Sequence, residues 1–311
     1  MTGTLRDALQ HAAQRGLERL DAQLLLMHVL GKPLHDRAWL LAHDSDPMLP
    51  DAQARYETIC QRREAGEPVA YLTGERSFYG LNLQVDARVL DPRPDTETLV
   101  DWALEVMQGI STHPSPTVLD LGTGSGAIAL AIQHKRPDAR VWAVDASLDA
   151  LAVATANAQH LGLPVRCLHN HWLRHWPSRH NSQAGTLAVP GRFDLIVSNP
   201  PYIRSNDPHL PALRHEPRQA LVSGSDGLDD LREIVATAPG HLAPNGWLLM
   251  EHGWDQADDV AALLEAAGYR LIGHRRDLGG HIRCTGGQRG TNPQPPQAQP
   301  LPGFPSNARV G

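Results

Sequence analysis

The sequence predicts an α/β protein: a mostly parallel sheet of seven strands with helices on both faces, preceded by a small all-helical region. Three observations carry this. Over residues 93–288 short apolar runs alternate with helical patterns, the order that builds parallel strands through helical crossovers. Over residues 1–75 apolar residues recur at helical spacing. Between them, residues 76–92 alternate with the period of two that marks strands.

In the first region "LRDALQHAAQRG", "LDAQLLLMHVLG" and "DAQARYETICQRREAG" each end at a glycine, Gly16, Gly31 and Gly66. Glycine tolerates the left-handed turn that stops a helix. Residues 1–75 carry 8 Lys and Arg against 11 Asp and Glu, a net of −3, so no basic face is evident. Next, "FYGLNLQVDARVLDPRP", with Gly80, reads as a β-hairpin linker. The strands expected over 93–288 are "TVLDLG", "RVWAVD", "VRCLH", "FDLIVSN", "GWLLMEHG", "YRLIGHR" and "HIRCT". No helix separates the last two, which predicts an antiparallel hairpin at the sheet edge. The loop "SRHNSQAGTLAVPGR" is long for an α/β connection and is expected to project into solvent. Residues 289–311 are rich in proline and polar residues and predict a disordered tail.

Composition narrows the function. Of 311 residues, 41% are hydrophobic and 20% charged, as in a globular protein with a core. The net charge of −6 counts against general nucleic-acid binding, which favours a basic surface. Cys60, Cys167 and Cys284 lie far apart, forming neither a metal pair nor a disulfide framework, and the 17 histidines include no HExxH; no metal site is expected. "MTGTLRDALQHAAQRG" lacks a signal-peptide core, and no apolar run reaches the roughly 18 residues of a membrane span. A cytoplasmic protein without membrane contact is expected.

Chemistry begins at "VLDLGTGSGAIALAI". Gly122, Gly124 and Gly126 follow Asp120 at a strand-to-helix turn. Such glycines let the chain bend sharply and approach a ligand, while the helix N–H groups favour negative charge. Asp145 ends the next strand, about 20 residues on, where an acid can accept hydrogen bonds from a ribose. NAD and S-adenosylmethionine both carry that ribose. Asp145 could alternatively cap the helix of "DASLDALAVATANAQ", although Ser147 can take that place.

The strand "FDLIVS" stops at Asn199-Pro200-Pro201-Tyr202. In an open α/β sheet this position faces the ligand crevice. The prolines have fixed φ and no N–H, so their carbonyls stay unpaired in set directions. Asn199 adds an amide and Tyr202 a ring with a polar tip. The set suits a planar group bearing NH2, whose two N–H bonds Asn199 and the Pro200 carbonyl would accept. That arrangement positions a poor nucleophile and stabilises the charge that grows as it attacks a methyl group.

With "DPRPDTETLV", "LDLGTGSGAIALA", "NAQHLG", "FDLIVSNPPYI", "EPRQALVSGSDGL" and "LLMEHGW" in this order, residues 1 to about 285 resemble class I S-adenosylmethionine-dependent methyltransferases, and within them the glutamine N5-methyltransferases of the PrmC/HemK family. The resemblance implies a Rossmann-like catalytic domain over 93–288 and a helical substrate-docking domain over 1–75. It implies methyl transfer to the glutamine of the Gly-Gly-Gln loop of class-1 peptide chain release factors. S-adenosylmethionine would be held by Gly122, Thr123, Gly124, Ser125, Gly126, Asp145, Trp172 and Asn199. The glutamine would be held by Asn199, Pro200, Pro201 and Tyr202, with Asn199, Pro200 and Tyr202 catalytic.

Within "PRPDTE", Asp95 is expected to cap the following helix, and Arg93 to make either an interdomain contact or a ligand contact. Where the family usually carries an acid before Trp172, this chain has His171; Trp172 can stack on adenine or serve as a core residue. Gly286-Gly287-Gln288 repeats the tripeptide that the family modifies in its partner, which is read as coincidence against the alternative of self-methylation. Three other functions remain open: an N6-adenine DNA or rRNA methyltransferase, a ribosomal-protein glutamine methyltransferase, and a non-catalytic module binding S-adenosylmethionine or NAD.

Overall fold

The computed structural model describes residues 3–109, 115–174, 176 and 189–290. The loop expected over 178–192 lies outside these residues except for its last four, as does the tail from residue 291 on. Arg289, counted with the tail in the sequence, instead pairs with Tyr269 as the last residue of a strand.

Five helices open the chain: α1 (Leu5–Gln14), α2 (Arg19–Val29), α3 (Arg37–Ala42), α4 (Pro50–Glu64) and α5 (Val69–Thr73). Thr4 and Asp7 form a reciprocal capping box at the start of α1. Gly16, Gly31 and Gly66 each follow a helix end with positive φ. These helices close on their own core, with Leu25, Leu26, Met27, Leu40 and Met48 buried at its centre. The hairpin follows as β1 (Glu75–Phe78) and β2 (Leu81–Gln84), turned at Tyr79 and Gly80, both with positive φ.

The remaining elements are α6 (Glu97–Gly109), β3 (Thr117–Leu121), α7 (Ala127–Lys135), β4 (Arg140–Asp145), α8 (Leu148–Leu161), β5 (Arg166–His169), β6 (Phe193–Ser198), α9 (Asp229–Thr237), β7 (Leu242–Glu251), α10 (Ala257–Ala266), β8 (Tyr269–Arg276) and β9 (Ile282–Arg289). The seven-stranded sheet runs β5-β4-β3-β6-β7-β9-β8. Strands β5, β4, β3, β6 and β7 are mutually parallel, and β9 is antiparallel to both neighbours. The expected final hairpin is present, but its second strand inserts beside β7, leaving only β8 at the edge.

Alternate side chains show how the sheet is buried. Val118, Leu195, Val197 and Leu249 face a core built with α6, α7, α8 and the hairpin. Leu119, Leu121, Ile196, Leu248 and Met250 face a second core built with α9 and α10. Both faces are covered, which is why these strands read as continuous apolar runs.

Several ties join the regions, three of them as follows. Asn157, fully buried on α8, accepts from the Gln84 N–H at 2.7 Å and donates to the Gln84 and Ser125 carbonyls at 2.9 Å each. It clamps the hairpin to the glycine turn. Arg93 donates to buried Glu216 at 2.5 Å, and Asp91 lies 3.3 Å from Arg76. Arg214 and His215 reach the Ala65 carbonyl at the end of α4.

Asn157→Ala removes all three bonds, orphaning the buried Ser125 carbonyl and leaving the part-buried Gln84 backbone groups without their partner. It is expected to lower unfolding stability by about 3 kcal/mol in urea titrations, from roughly 1–3 kcal/mol per orphaned buried group; a loss under about 1 kcal/mol would contradict the clamp.

Candidate active site

The sheet order reverses at its centre: β4 and β5 lie on one side of β3, and β6 and β7 on the other. Connections leaving β3 and β6 therefore diverge, opening a crevice at their carboxyl ends. Leu121 pairs with Ser198 in register, and the Ser198 hydroxyl donates to the Leu121 carbonyl at 2.8 Å. The next residues on the two strands are Gly122 and Asn199. The glycine turn and the Asn-Pro-Pro-Tyr segment thus start side by side.

Gly122, Gly124 and Gly126 have φ of +69°, +55° and +86°. A Cβ on Gly122 would stand 3.0 Å from the Trp172 ring, whereas one on Gly124 would meet nothing within 4 Å. The backbone at Gly124 therefore borders open space. The turn is held from below: the Thr123 N–H donates to the Val144 carbonyl at 2.9 Å, and the Thr123 hydroxyl to Asp120 at 2.6 Å. Burial pushes the Asp120 carboxyl up to about 7. Ser125 contributes its carbonyl to the Asn157 clamp.

Asp145 accepts from the Gly124 N–H with one oxygen and from the Ser147 N–H with the other, at 2.9 Å each. Burial raises its carboxyl above the usual range although three backbone N–H groups, at Ser147, Gly124 and Ala146, oppose this. Ser147 caps α8 through the Ala150 N–H, so Asp145 is left to brace the turn. The neighbouring Asn170 is buried, with its side-chain amide nitrogen unpartnered among the described residues. Open backbone at Gly124, a carboxylate with lone pairs to spare and an unused amide donor fit a ligand carrying a ribose and a nitrogen heterocycle.

Trp172 is nine-tenths buried, with φ +49° and its indole N–H donating to Asp230 at 3.0 Å. It belongs to the core on the α9 side, so the packing alternative describes most of its ring. His171 is turned away, 3.8 Å from Glu233.

Beyond β6, the Asn199 amide donates to the Thr96 hydroxyl at 3.2 Å, which leaves its carbonyl oxygen an acceptor with no donor among the described residues. Pro200 is buried and Pro201 half-buried. Among the described residues no donor reaches the Pro200 or Pro201 carbonyl. The Tyr202 backbone is fixed by two residues downstream. Gln256 donates to its carbonyl at 3.1 Å, and Gly227 lies so close that a Cβ there would come 2.3 Å from that carbonyl. The Tyr202 hydroxyl donates to Glu251 at 3.2 Å, and burial beside that carboxylate raises its pKa.

Glu251, Thr96, Gln256 and Gly227 were given no role in the sequence reading. The one signal was a carboxylate closing the apolar run "WLLME" at the end of β7. One correction falls in "PRPDTE". Asp95 makes no capping bond; its carboxylate lies 3.5 Å from Arg283. Arg93 is committed to Glu216 and Asp91. Gln288 sits in β9 opposite Trp247, with its amide on the Asn245 carbonyl near the amino end of β7. The sheet's opposite end carries Asn199, so self-methylation within one chain has no geometric basis. Among the described residues no group of three or more His, Cys, Asp or Glu is arranged to hold a metal ion.

A sheet of this order, with a glycine turn after one central strand and a carboxylate closing the next, defines the Rossmann-like class I methyltransferase domain. Residues 4–74 match the PrmC N-terminal domain and residues 99–252 the methyltransferase small domain. The release factor glutamine methyltransferase of Bordetella pertussis is 50% identical over 285 residues, covering 91% of this chain and 98% of the relative. That of Burkholderia pseudomallei is 47% identical, covering 88% and 92%, and that of Salmonella typhimurium 42%, covering 91% and 97%. The hMettl16 catalytic domain, solved with the MAT2A 3'UTR hairpin 6, shares the fold at a TM-score of 0.50 and 12% identity, covering 76% of this chain and 81% of that one. The chain belongs to the release factor glutamine methyltransferase family.

Asp120 and Glu251 set a pH dependence. Their ordinary values are 3.8 and 4.5, and in the folded protein both lie at about 7. Between these limits the native state holds protons that the unfolded chain has released, so stability falls as pH rises from about 4 to 7. Glu251→Gln is expected to make this slope shallower in urea titrations from pH 4.5 to 7.5; a slope identical to the parent's would mean that Glu251 ionises normally.

Proposed function

We propose that this protein transfers a methyl group from S-adenosylmethionine to the side-chain nitrogen of the glutamine in the Gly-Gly-Gln motif of class-1 peptide chain release factors. The observation that carries this reading is the oriented Asn199 carbonyl oxygen, held by Thr96 next to the glycine turn. Family membership supplies the substrate class.

Gly122 through Gly126, Asp145, Trp172 and Asn199 would hold the cofactor, with Asp145 on the ribose hydroxyls. Bound there, S-adenosylmethionine supplies an electrophilic methyl group on a positively charged sulfur. The chain's own part is to make an amide nitrogen attack. That nitrogen is a weak nucleophile because its lone pair is delocalised into the carbonyl. Asn199 Oδ1 and the Pro200 carbonyl each accept one of its N–H bonds and hold the lone pair toward the donor. As attack proceeds, positive charge grows on those hydrogens, and two fixed oxygens stabilise it without reorganising. The proton becomes acidic once transfer is complete, so no base of shifted pKa is needed beforehand. Pro201 and Tyr202 wall the pocket around the flat amide.

Residues 1–75 form the unit that docks the release factor, 76–92 the linker and 93–288 the catalytic unit. Three unpaired cysteines fit a cytoplasmic setting, and no helix of the described residues is long and apolar enough to cross a membrane.

Incubation with labelled cofactor and a purified release factor should label the protein, and Gln→Ala in the acceptor's Gly-Gly-Gln should abolish the label. Label in nucleic acid or in a ribosomal protein instead would overturn the substrate assignment. Asn199→Ala should lower kcat on the order of 10²-fold with little change in cofactor affinity; full activity would refute its role. Asp145→Ala should weaken cofactor binding by about tenfold or more in calorimetry, the scale of a lost charged hydrogen bond; unchanged affinity would place the ribose elsewhere.

A further inference from the structure

Glu251 is a carboxylate where the fold has least use for one. It ends β7 with 1% of its surface exposed, against the Tyr202 hydroxyl. One oxygen accepts from the Tyr202 hydroxyl at 3.2 Å; the other makes no well-aligned hydrogen bond among the described residues. The Tyr202 end of the Asn199–Tyr202 segment is therefore anchored on one buried side chain, while the Asn199 end is held separately by the Thr96 hydroxyl.

Burying a carboxyl with an unused oxygen is unfavourable, and an apolar residue of similar size would leave no such oxygen. A residue kept against stability at a site of this kind points to a service rendered there. What Glu251 can supply is orientation. The Tyr202 hydroxyl, tied to Glu251 at 3.2 Å, is held away from the pocket, and with it the ring that borders the site.

We infer that Glu251 is a positioning residue that sets the orientation of the Tyr202 ring through its hydroxyl. This rests on the proposed amide chemistry at Asn199 but adds a residue that touches neither substrate nor cofactor. It acts through the Tyr202 hydroxyl, so it should act on turnover rather than on binding.

The test uses the full chain and compares Glu251→Leu, Glu251→Gln, Tyr202→Phe and the double change Glu251→Leu with Tyr202→Phe. Glu251→Leu should lower kcat by about tenfold, with KM for S-adenosylmethionine within about twofold of the parent. Glu251→Gln keeps a carbonyl acceptor and the shape, and should recover most of that loss. The double variant should be no slower than the slower single variant, because both break one unit. Melting temperature gives a readout that needs no substrate. Each single change orphans the other's polar group, so the double variant should melt about 2 °C or more above the sum of the single shifts.

Unchanged kcat in Glu251→Leu, kinetic losses that multiply, or additive melting shifts would each overturn the inference. Glu251→Gln as slow as Glu251→Leu would overturn it too, since charge rather than orientation would then be required. A parent enzyme that fails to label a release factor would instead sink the substrate assignment, and the melting cycle would still decide the coupling of Glu251 to Tyr202.

Discussion

The site exists because β3 and β6 are neighbours that the chain leaves in opposite directions. Their pairing ends at Leu121 and Ser198, tied by the Ser198 hydroxyl. Everything chemical follows from the next residue on each strand. Gly122 starts a turn that needs positive φ at three positions, and Asn199 starts a segment whose prolines keep their carbonyls unpaired. A register shift of one residue would separate the two and turn every core side chain of β6 to the wrong face.

Around this pair the fold spends its buried polar groups on holding backbone still. Asn157 joins the hairpin to the glycine turn, Asp145 braces the turn from β4, and Gln256 grips the Tyr202 carbonyl from the start of α10. The charged group of Arg76, Asp91, Arg93 and Glu216 fastens "PRPDTE" to the segment after Tyr202. That contact places Thr96 beside Asn199. Two carboxyls, Asp120 and Glu251, are buried to the point that both hold their protons up to about pH 7. They sit under the two halves of the site, one below the glycine turn and one behind Tyr202. Preorganisation here is bought with stability, which is common where side chains must be held in one orientation.

Much of this was legible along the chain. Seven apolar runs became the seven strands of the sheet, and the glycines at 16, 31 and 66 ended helices because left-handed backbone is cheap only there. Asn199 and the two proline carbonyls stand as their types demand. Other points were decided by partners distant along the chain. Asp95 was expected at a helix start, but Arg283 from β9 draws its carboxylate away. The last two strands form a hairpin, yet nothing local says which of them inserts beside β7. Trp172 was given two readings, adenine stacking and core packing, and it is Asp230 and Gly122, distant in sequence, that decide where its ring lies.

The sequence by itself determined the class of fold, the order of its elements, the turn chemistry and the identity of the groups facing a ligand. These depend on period, φ preference and functional groups, which are properties of residues and their near neighbours. Tertiary structure alone decided how those groups are oriented. The Asn199 amide has a free oxygen because Thr96, 103 positions away, accepts its N–H, and the Tyr202 hydroxyl is turned by Glu251, 49 positions away. Orientation of an amide or a hydroxyl is a matter of which partner lies within 3 Å or so, and such partners are set by strand order and packing, not by spacing along the chain.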